Sequence, residues 1–217
     1  MKLLAIFAAA SLTGVFPAID RAPKFQFAGS DQLSFQITQG APADVFAAAS
    51  PKYPEQLYAQ GLCSKPAVFA TNTVVLIVPR ANPARIRSVY DLTRDGIKLV
   101  IGSKGAPIGG YTRKLLANLG LSSALKNVVS EEDDVKLVVA KVALGEADAG
   151  FVYRTDVKPV GNRVFRIAVP AAGQPTVQYE LCIPTTSQHP ALAAAFVREV
   201  LSKRGRTTLR TAGFGLP

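Results

Sequence analysis

Histidine and cysteine are almost missing from this sequence, with one His and two Cys among 217 residues. A single His leaves too little to build a histidine-based metal site. The two thiols, Cys63 and Cys182, lie far apart and follow no metal-ligand spacing. Cys182 falls in the apolar run VQYELCI and is expected to be a small buried thiol, while a Cys63–Cys182 disulfide stays open for an exported protein. Long apolar runs are absent too. Gly14, Pro17 and Asp20 break the opening one before it reaches the roughly 18–20 residues of a membrane-spanning helix. There is no internal repeat and no low-complexity stretch, and the one linker-like segment, residues 171–175, is too short to separate domains.

Acidic residues are comparatively few. Fifteen Asp and Glu against 25 Lys and Arg give a formal charge of +10. Such a balance raises the question of a nucleic-acid partner. The basic residues are scattered, however, with only Lys203, Arg204 and Arg206 forming a short cluster, and no aromatic-studded basic motif accompanies them. The expectation is a solvated basic face that draws in anions, with no nucleic acid bound. The acidic run Glu131, Glu132, Asp133 and Asp134 lacks the alternating oxygen ligands of a calcium loop and reads as the start of a helix over residues 133–144.

At 48% hydrophobic, the chain can bury one substantial core or two small ones. Strand-like runs alternate with helical ones, the pattern of βα units and a mostly parallel sheet. Strands are expected at residues 25–28, 44–48, 73–78, 98–101, 149–153, 164–169 and 177–183. Helices are expected from Ser30 to Gln39, from Ser50-Pro51 to Gly61, over 109–119 and over 190–201, with a further segment of open type over 88–92. Ser11 and Ser30 read as N-caps.

The opening MKLLAIFAAAS has two readings. It is either a short secretory signal with a small-residue cleavage site, or a buried strand over residues 3–8 running into a helix at Ser11. In the second reading Ser11 and Ser30 each stand where a strand gives way to a helix. Residues 105–110 (GAPIGG) and the loop before Val135 offer similar junctions. Open α/β sheets bind ligands outside the carboxyl ends of their strands, and helix N-termini favour anions.

The segments FAAASLTGVFPAI, FAGSDQL, QGAPADVFAAAS, GAPIGGYTRKLL, EEDDV, LGEADAGFVYRTD and AGFGLP follow one another in an order that resembles the periplasmic molybdate-binding proteins of ABC transporters. The resemblance covers nearly the whole chain and decides the opening in favour of the strand. An export signal is then expected to have been lost from, or never to have belonged to, this chain.

The resemblance implies an α/β, two-lobed periplasmic binding protein fold, each lobe a mostly parallel sheet flanked by helices, with the ligand in the cleft. Lobe 1 would take residues 1–76 and 182–217, and lobe 2 residues 77–181. Ser11 and Ser30 would donate hydroxyl and backbone N–H bonds, Ile108 and Val135 backbone N–H bonds, and Tyr153 its phenol. It further implies capture of molybdate or tungstate and delivery to an ABC transporter permease by a periplasmic or extracellular monomer. There would be no cofactor, and molybdenum would be present only as the oxyanion, without a direct protein ligand.

Two features depart from the family. The stretch between Ser11 and Ser30 is short, so the first helix must be trimmed, and Asp31 adds a carboxylate beside Ser30, expected to turn away from the ligand. Ile108 is bulky for its place, which a backbone donor tolerates. The alternatives are the same fold binding another small anion such as sulfate, or a serine hydrolase using Ser11 or Ser30. The hydrolase would need a base beside its nucleophile, and His189, the one histidine, reads as an exposed helix start.

Overall fold

The computed structural model describes residues 4–217, so Leu3, where the first expected strand begins, lies outside the described residues. The chain forms two compact units, one made of the segment up to Asn72 together with Gln178–Pro217, the other of Thr73–Val177. The first segment runs β1 (Ala5–Ala9), α1 (Phe16–Ile19), β2 (Lys24–Ala28), α2 (Ser30–Thr38), β3 (Val45–Ala48), α3 (Lys52–Ala59) and β4 (Ala67–Asn72). The second unit holds β5 (Val74–Pro79), β6 (Leu99–Gly102), α4 (Pro107–Asn118), β7 (Val128–Glu132), α5 (Val135–Ala143), β8 (Ala149–Tyr153), α6 (Arg154–Val157) and β9 (Val164–Ile167). The chain returns through β10 (Val177–Cys182), α7 (Pro190–Leu201) and α8 (Lys203–Thr211).

Each unit carries one five-stranded sheet, in the orders β2-β1-β3-β10-β4 and β7-β6-β8-β5-β9. Both sheets are mixed, where the βα pattern alone suggests mostly parallel pairing. β1 pairs parallel with β2 and β3, and β6 parallel with β7 and β8. The strand by which the chain enters each unit runs the other way: β10 is antiparallel to β3, and β5 to both β8 and β9. Helical crossovers force parallel pairing, and strands that arrive without one are released from it.

In the first unit one core is aromatic. Phe16 meets Phe69 and Phe196, and Tyr179 lies edge-on to Phe69 and Phe214. A second cluster packs Phe7, Leu33, Phe46, Tyr53 and Leu57 around Cys63 and Cys182, which are unbridged. The core of the other unit is mostly aliphatic, with Phe151 and Tyr153 buried beside it, and so close that β8 needs glycine. A Cβ on Gly150 would lie 2.8 Å from Val138 and 3.0 Å from Val100 and Val142.

Local structure departs from the sequence reading in several places. α1 has only four residues, as the short Ser11–Ser30 interval requires. Ser11 is not an N-cap but sits inside a 3-10 turn, Ala10–Leu12, capped by Ala9. Gly29 takes the cap position of α2 and Ser30 is its first residue. Residues Val89–Thr93 form a 3-10 turn closed by a reciprocal Ser88–Asp91 capping box. Glu131 and Glu132 belong to β7 rather than to a helix start, because cations on neighbouring helices pair with them: Arg113 reaches Glu131 at 2.6 Å and Lys141 reaches Glu132 at 2.7 Å. β4 and α8 are further elements that the sequence pattern does not announce.

The N-terminus of α4 is pressed onto the end of β6. A Cβ on Gly109 would overlap the carbonyl oxygens of Gly102 and Ser103, whereas one on Gly110, next along the helix, would meet nothing within 4 Å. Gly109→Ala is therefore expected to lower the unfolding free energy by at least about 1–3 kcal/mol through overpacking. Gly110→Ala should leave stability unchanged or raise it by up to about 1 kcal/mol, since alanine favours the helix. Urea denaturation of the two variants checks the contrast.

Candidate functional site

Ser11 and Ser30 stand side by side in the topology of the first unit. β1 and β2 are parallel with Ala9 opposite Ala28, and each serine follows two residues later. Both are buried, Ser11 to 6% and Ser30 to 1% exposure. Each hydroxyl oxygen already accepts a hydrogen bond from the protein. The Tyr179 phenol, at the start of β10, donates to Ser11 Oγ at 3.0 Å, and the Ala49 amide, just past β3, donates to Ser30 Oγ at 3.1 Å. Behind Tyr179, the Asn72 amide donates to its phenol oxygen at 3.4 Å. With their oxygens engaged in this way, the two serine protons are left to be donated. Around Ser30 the first hydrogen bond of α2 runs from Leu33 N to Gly29 O, so the amides before Leu33 have no acceptor earlier in the helix.

Asp31, in the first turn of α2, has Tyr53 as an electrostatic neighbour. Burial, with the Asp31 charge added, pushes the Tyr53 phenol up to about 12. A further carboxyl, Glu180, lies on β10 opposite Ala48 and is 7% exposed. Burial foremost, then the charge of Glu55, pushes it above the ordinary carboxylate range.

In the second unit Ile108, Val135 and Tyr153 follow or end three adjacent parallel strands, β6, β7 and β8. All are buried, at 2%, 4% and 1% exposure. Pro107, which has no N–H, opens α4, and the first bonds of that helix come from Gly109 and Gly110 to Ala106 O. The Ile108 amide is thus the one in this first turn with no acceptor in the helix. Arg113 fastens the turn, donating to Gly102 O at 3.0 Å and to Gly109 O at 3.1 Å.

Val135 is left with its amide by a different route. The N-cap Asp134 accepts from Lys136 N at 2.7 Å and Leu137 N at 3.2 Å. These two bonds satisfy the next amides of α5 and pass over that of Val135. Lys136 reaches across to Asp156 at 2.7 Å. Asp156 is 1% exposed, and burial raises its carboxyl despite the opposing charge of Lys136. Its carboxylate also takes the backbone amide of Tyr153, so one ion pair ties the start of α5 to the end of β8. The Tyr153 ring lies edge-on to Tyr111.

The one histidine is placed elsewhere. His189 Nδ1 lies 3.2 Å from Asp44, whose carboxylate accepts from Ala5 N at the start of β1. Ser11 follows the far end of that strand, so the imidazole stands at the opposite end of the strands from both serines. His189 is therefore not beside either serine. Sequence reasoning missed Tyr179, Asn72, Ala49 and Glu180. VQYELCI was visible as a strand, but nothing local marks its Tyr as the partner of a serine 168 positions earlier.

A family model described as bacterial extracellular solute-binding protein matches residues 8–215. The molybdate-binding protein ModA of Mycobacterium tuberculosis is 38% identical over an alignment covering all of this chain and 85% of that protein. The periplasmic molybdate-binding protein of Azotobacter vinelandii has a similar fold, with a TM-score of 0.86, 23% identity and 99% of each chain covered. So has the sulfate-binding protein SubI of Mycobacterium tuberculosis, with a TM-score of 0.80, 18% identity, and coverage of 99% of this chain and 86% of that one.

Replacing Lys136 by Met leaves the Asp156 carboxylate buried without its cation. Breaking such a pair costs about 3–5 kcal/mol when the remaining charge cannot reach water. Because the folded-state pKa of Asp156 is raised, its contribution is most favourable in acid and is lost as pH rises through that pKa. The deficit of Lys136→Met should therefore be small near pH 4 and grow toward pH 7. Denaturant titrations at the two pH values check the trend.

Proposed function

Because the chain belongs to the bacterial extracellular solute-binding protein family, we propose that it captures molybdate or tungstate outside the cytoplasm and delivers the anion to an ABC importer. The proposed donors are the hydroxyls of Ser11 and Ser30, the backbone amides of Ile108 and Val135, and the Tyr153 phenol. The protein acts as a monomer, without a resident cofactor and without catalysis. Molybdenum enters only as its oxyanion, with no protein atom bound to the metal.

The observation that carries this reading is the engagement of both serine oxygens by Tyr179 and Ala49. A hydroxyl whose oxygen already accepts is directed to donate, and the amides of Ile108 and Val135 can do nothing else. A group of such donors suits an anion that carries no proton of its own. Molybdate, tungstate and sulfate meet that condition at neutral pH; hydrogen phosphate brings a proton that needs an acceptor. Charge-assisted bonds contribute on the order of 1.5–3 kcal/mol each, so five of them, backed by helix N-termini, offset removal of a dianion from water without a Lys or Arg in contact. Size then separates molybdate and tungstate from the smaller sulfate.

Calorimetric titration with molybdate, tungstate, sulfate and phosphate tests the assignment. Tight binding of the first two, weaker binding of sulfate and none of phosphate is the expected order, and phosphate binding as tightly as molybdate would contradict it. Tyr153→Phe keeps the ring against Tyr111 and removes one donor. It should weaken molybdate binding by about one to two decades in Kd while the melting temperature of the free protein changes little. Val135→Ala, which keeps its amide, should cost much less.

A further inference from the structure

Cys63 and Cys182 belong to the two separate chain segments from which the first unit is built. They nevertheless pack in one core cluster, at 4% and 1% exposure. Their backbones are held together by a short extension of the sheet. Cys63 pairs antiparallel with Pro184, Ser64 N donates to Ile183 O at 2.8 Å, and Thr185 N donates to Leu62 O at 2.9 Å. The Ser64 hydroxyl accepts from Ile183 N at 3.0 Å. Within this frame the two thiols are electrostatic neighbours, and the Cys63 thiol donates to Ser64 O at 3.2 Å and to Pro54 O at 3.5 Å. No group of His, Cys, Asp and Glu suited to a metal ion occurs among the described residues, so the pair is not half of a metal site.

We propose that Cys63 and Cys182 close an intramolecular disulfide when the chain folds in an oxidising compartment, covalently joining the two segments of the first unit. The compartment follows from the extracytoplasmic reading above, on which this inference rests. Exported chains meet oxidants that cytosolic chains do not. Either cysteine can attack first while the chain is still folding. Its thiolate attacks one sulfur of glutathione disulfide, forming a mixed disulfide and releasing one glutathione thiolate. The other cysteine then gives up its proton to solvent, attacks the protein sulfur of the mixed disulfide and expels the second glutathione. Two protein thiols are oxidised and one glutathione disulfide is reduced. In the folded core both sulfurs are screened from bulk thiols, so the exchange belongs to folding and the closed bond afterwards resists reduction.

The full chain, unfolded and reduced in urea, is refolded with and without glutathione disulfide, then analysed by intact mass, thiol titration under denaturing conditions and peptide mapping. The expected product with the oxidant is a monomer lighter by two hydrogens, with no titratable thiol and a proteolytic fragment joining Cys63 to Cys182. Its melting temperature should exceed that of the reduced chain by on the order of 5–15 °C, given the long loop closed, and Cys63→Ala and Cys182→Ala should each abolish the difference. Two thiols persisting in the oxidant, glutathione adducts on either cysteine, or disulfide-linked dimers would overturn the proposal. Molybdate calorimetry on the same samples reads the anion assignment separately. A chain that keeps both thiols and still binds molybdate refutes the disulfide alone, and a bridged chain that binds no molybdate refutes the anion assignment alone.

Discussion

A strand that gives way to a helix leaves amide protons with no acceptor in the chain that follows, and the candidate site depends on where those protons lie. Here the arrangement recurs in both units. β1 and β2 end in register before Ser11 and Ser30, and β6 and β7 lead into α4 and α5. Because neighbouring parallel strands end at the same edge, their following turns are neighbours as well. Within each unit, topology alone places the backbone donors of neighbouring turns side by side.

The surrounding residues determine which donors stay available. Asp134 takes the amides of Lys136 and Leu137 and passes over Val135. Pro107 removes one amide and leaves that of Ile108. Tyr179 and Ala49 occupy the oxygens of the two serines, and Lys136 with Asp156 joins the start of α5 to the end of β8. In general, donors held in place by their neighbours lose less entropy when an anion arrives.

The alternation of strands and helices was legible in the sequence because it is local: TVVLIV and AGFVY announce themselves, and Gly40 and Gly61, with φ of +83° and +72°, mark helix ends. The family resemblance supplied the five proposed contacts, and the structure places each at or just beyond a strand end. The particular duties of Ser11 and Ser30 were misread as capping. Gly29 holds the cap of α2, and the Ser30 hydroxyl turns to an amide 19 residues away. β7 was hidden by its own charges, since VVSEE looks like a helix start until Arg113 and Lys141 are seen to neutralise it. α8 was hidden for the opposite reason. Only Gly205 and Leu209 of its nine residues are buried, too few to make an apolar stripe. In each case the missing information was a contact between residues distant in the sequence.

The central claim is that the binding groups donate and do not accept. Selenate and arsenate are tetrahedral anions of nearly equal size, and near pH 7 selenate carries no proton whereas arsenate carries one or two. Competition against bound molybdate, followed by calorimetry at one pH and salt concentration, isolates that difference. The account predicts that selenate displaces molybdate at least about tenfold more effectively than arsenate, since a proton held against a donor forfeits roughly one charge-assisted bond. Equal displacement by the two anions would show that an acceptor is present and would contradict the account.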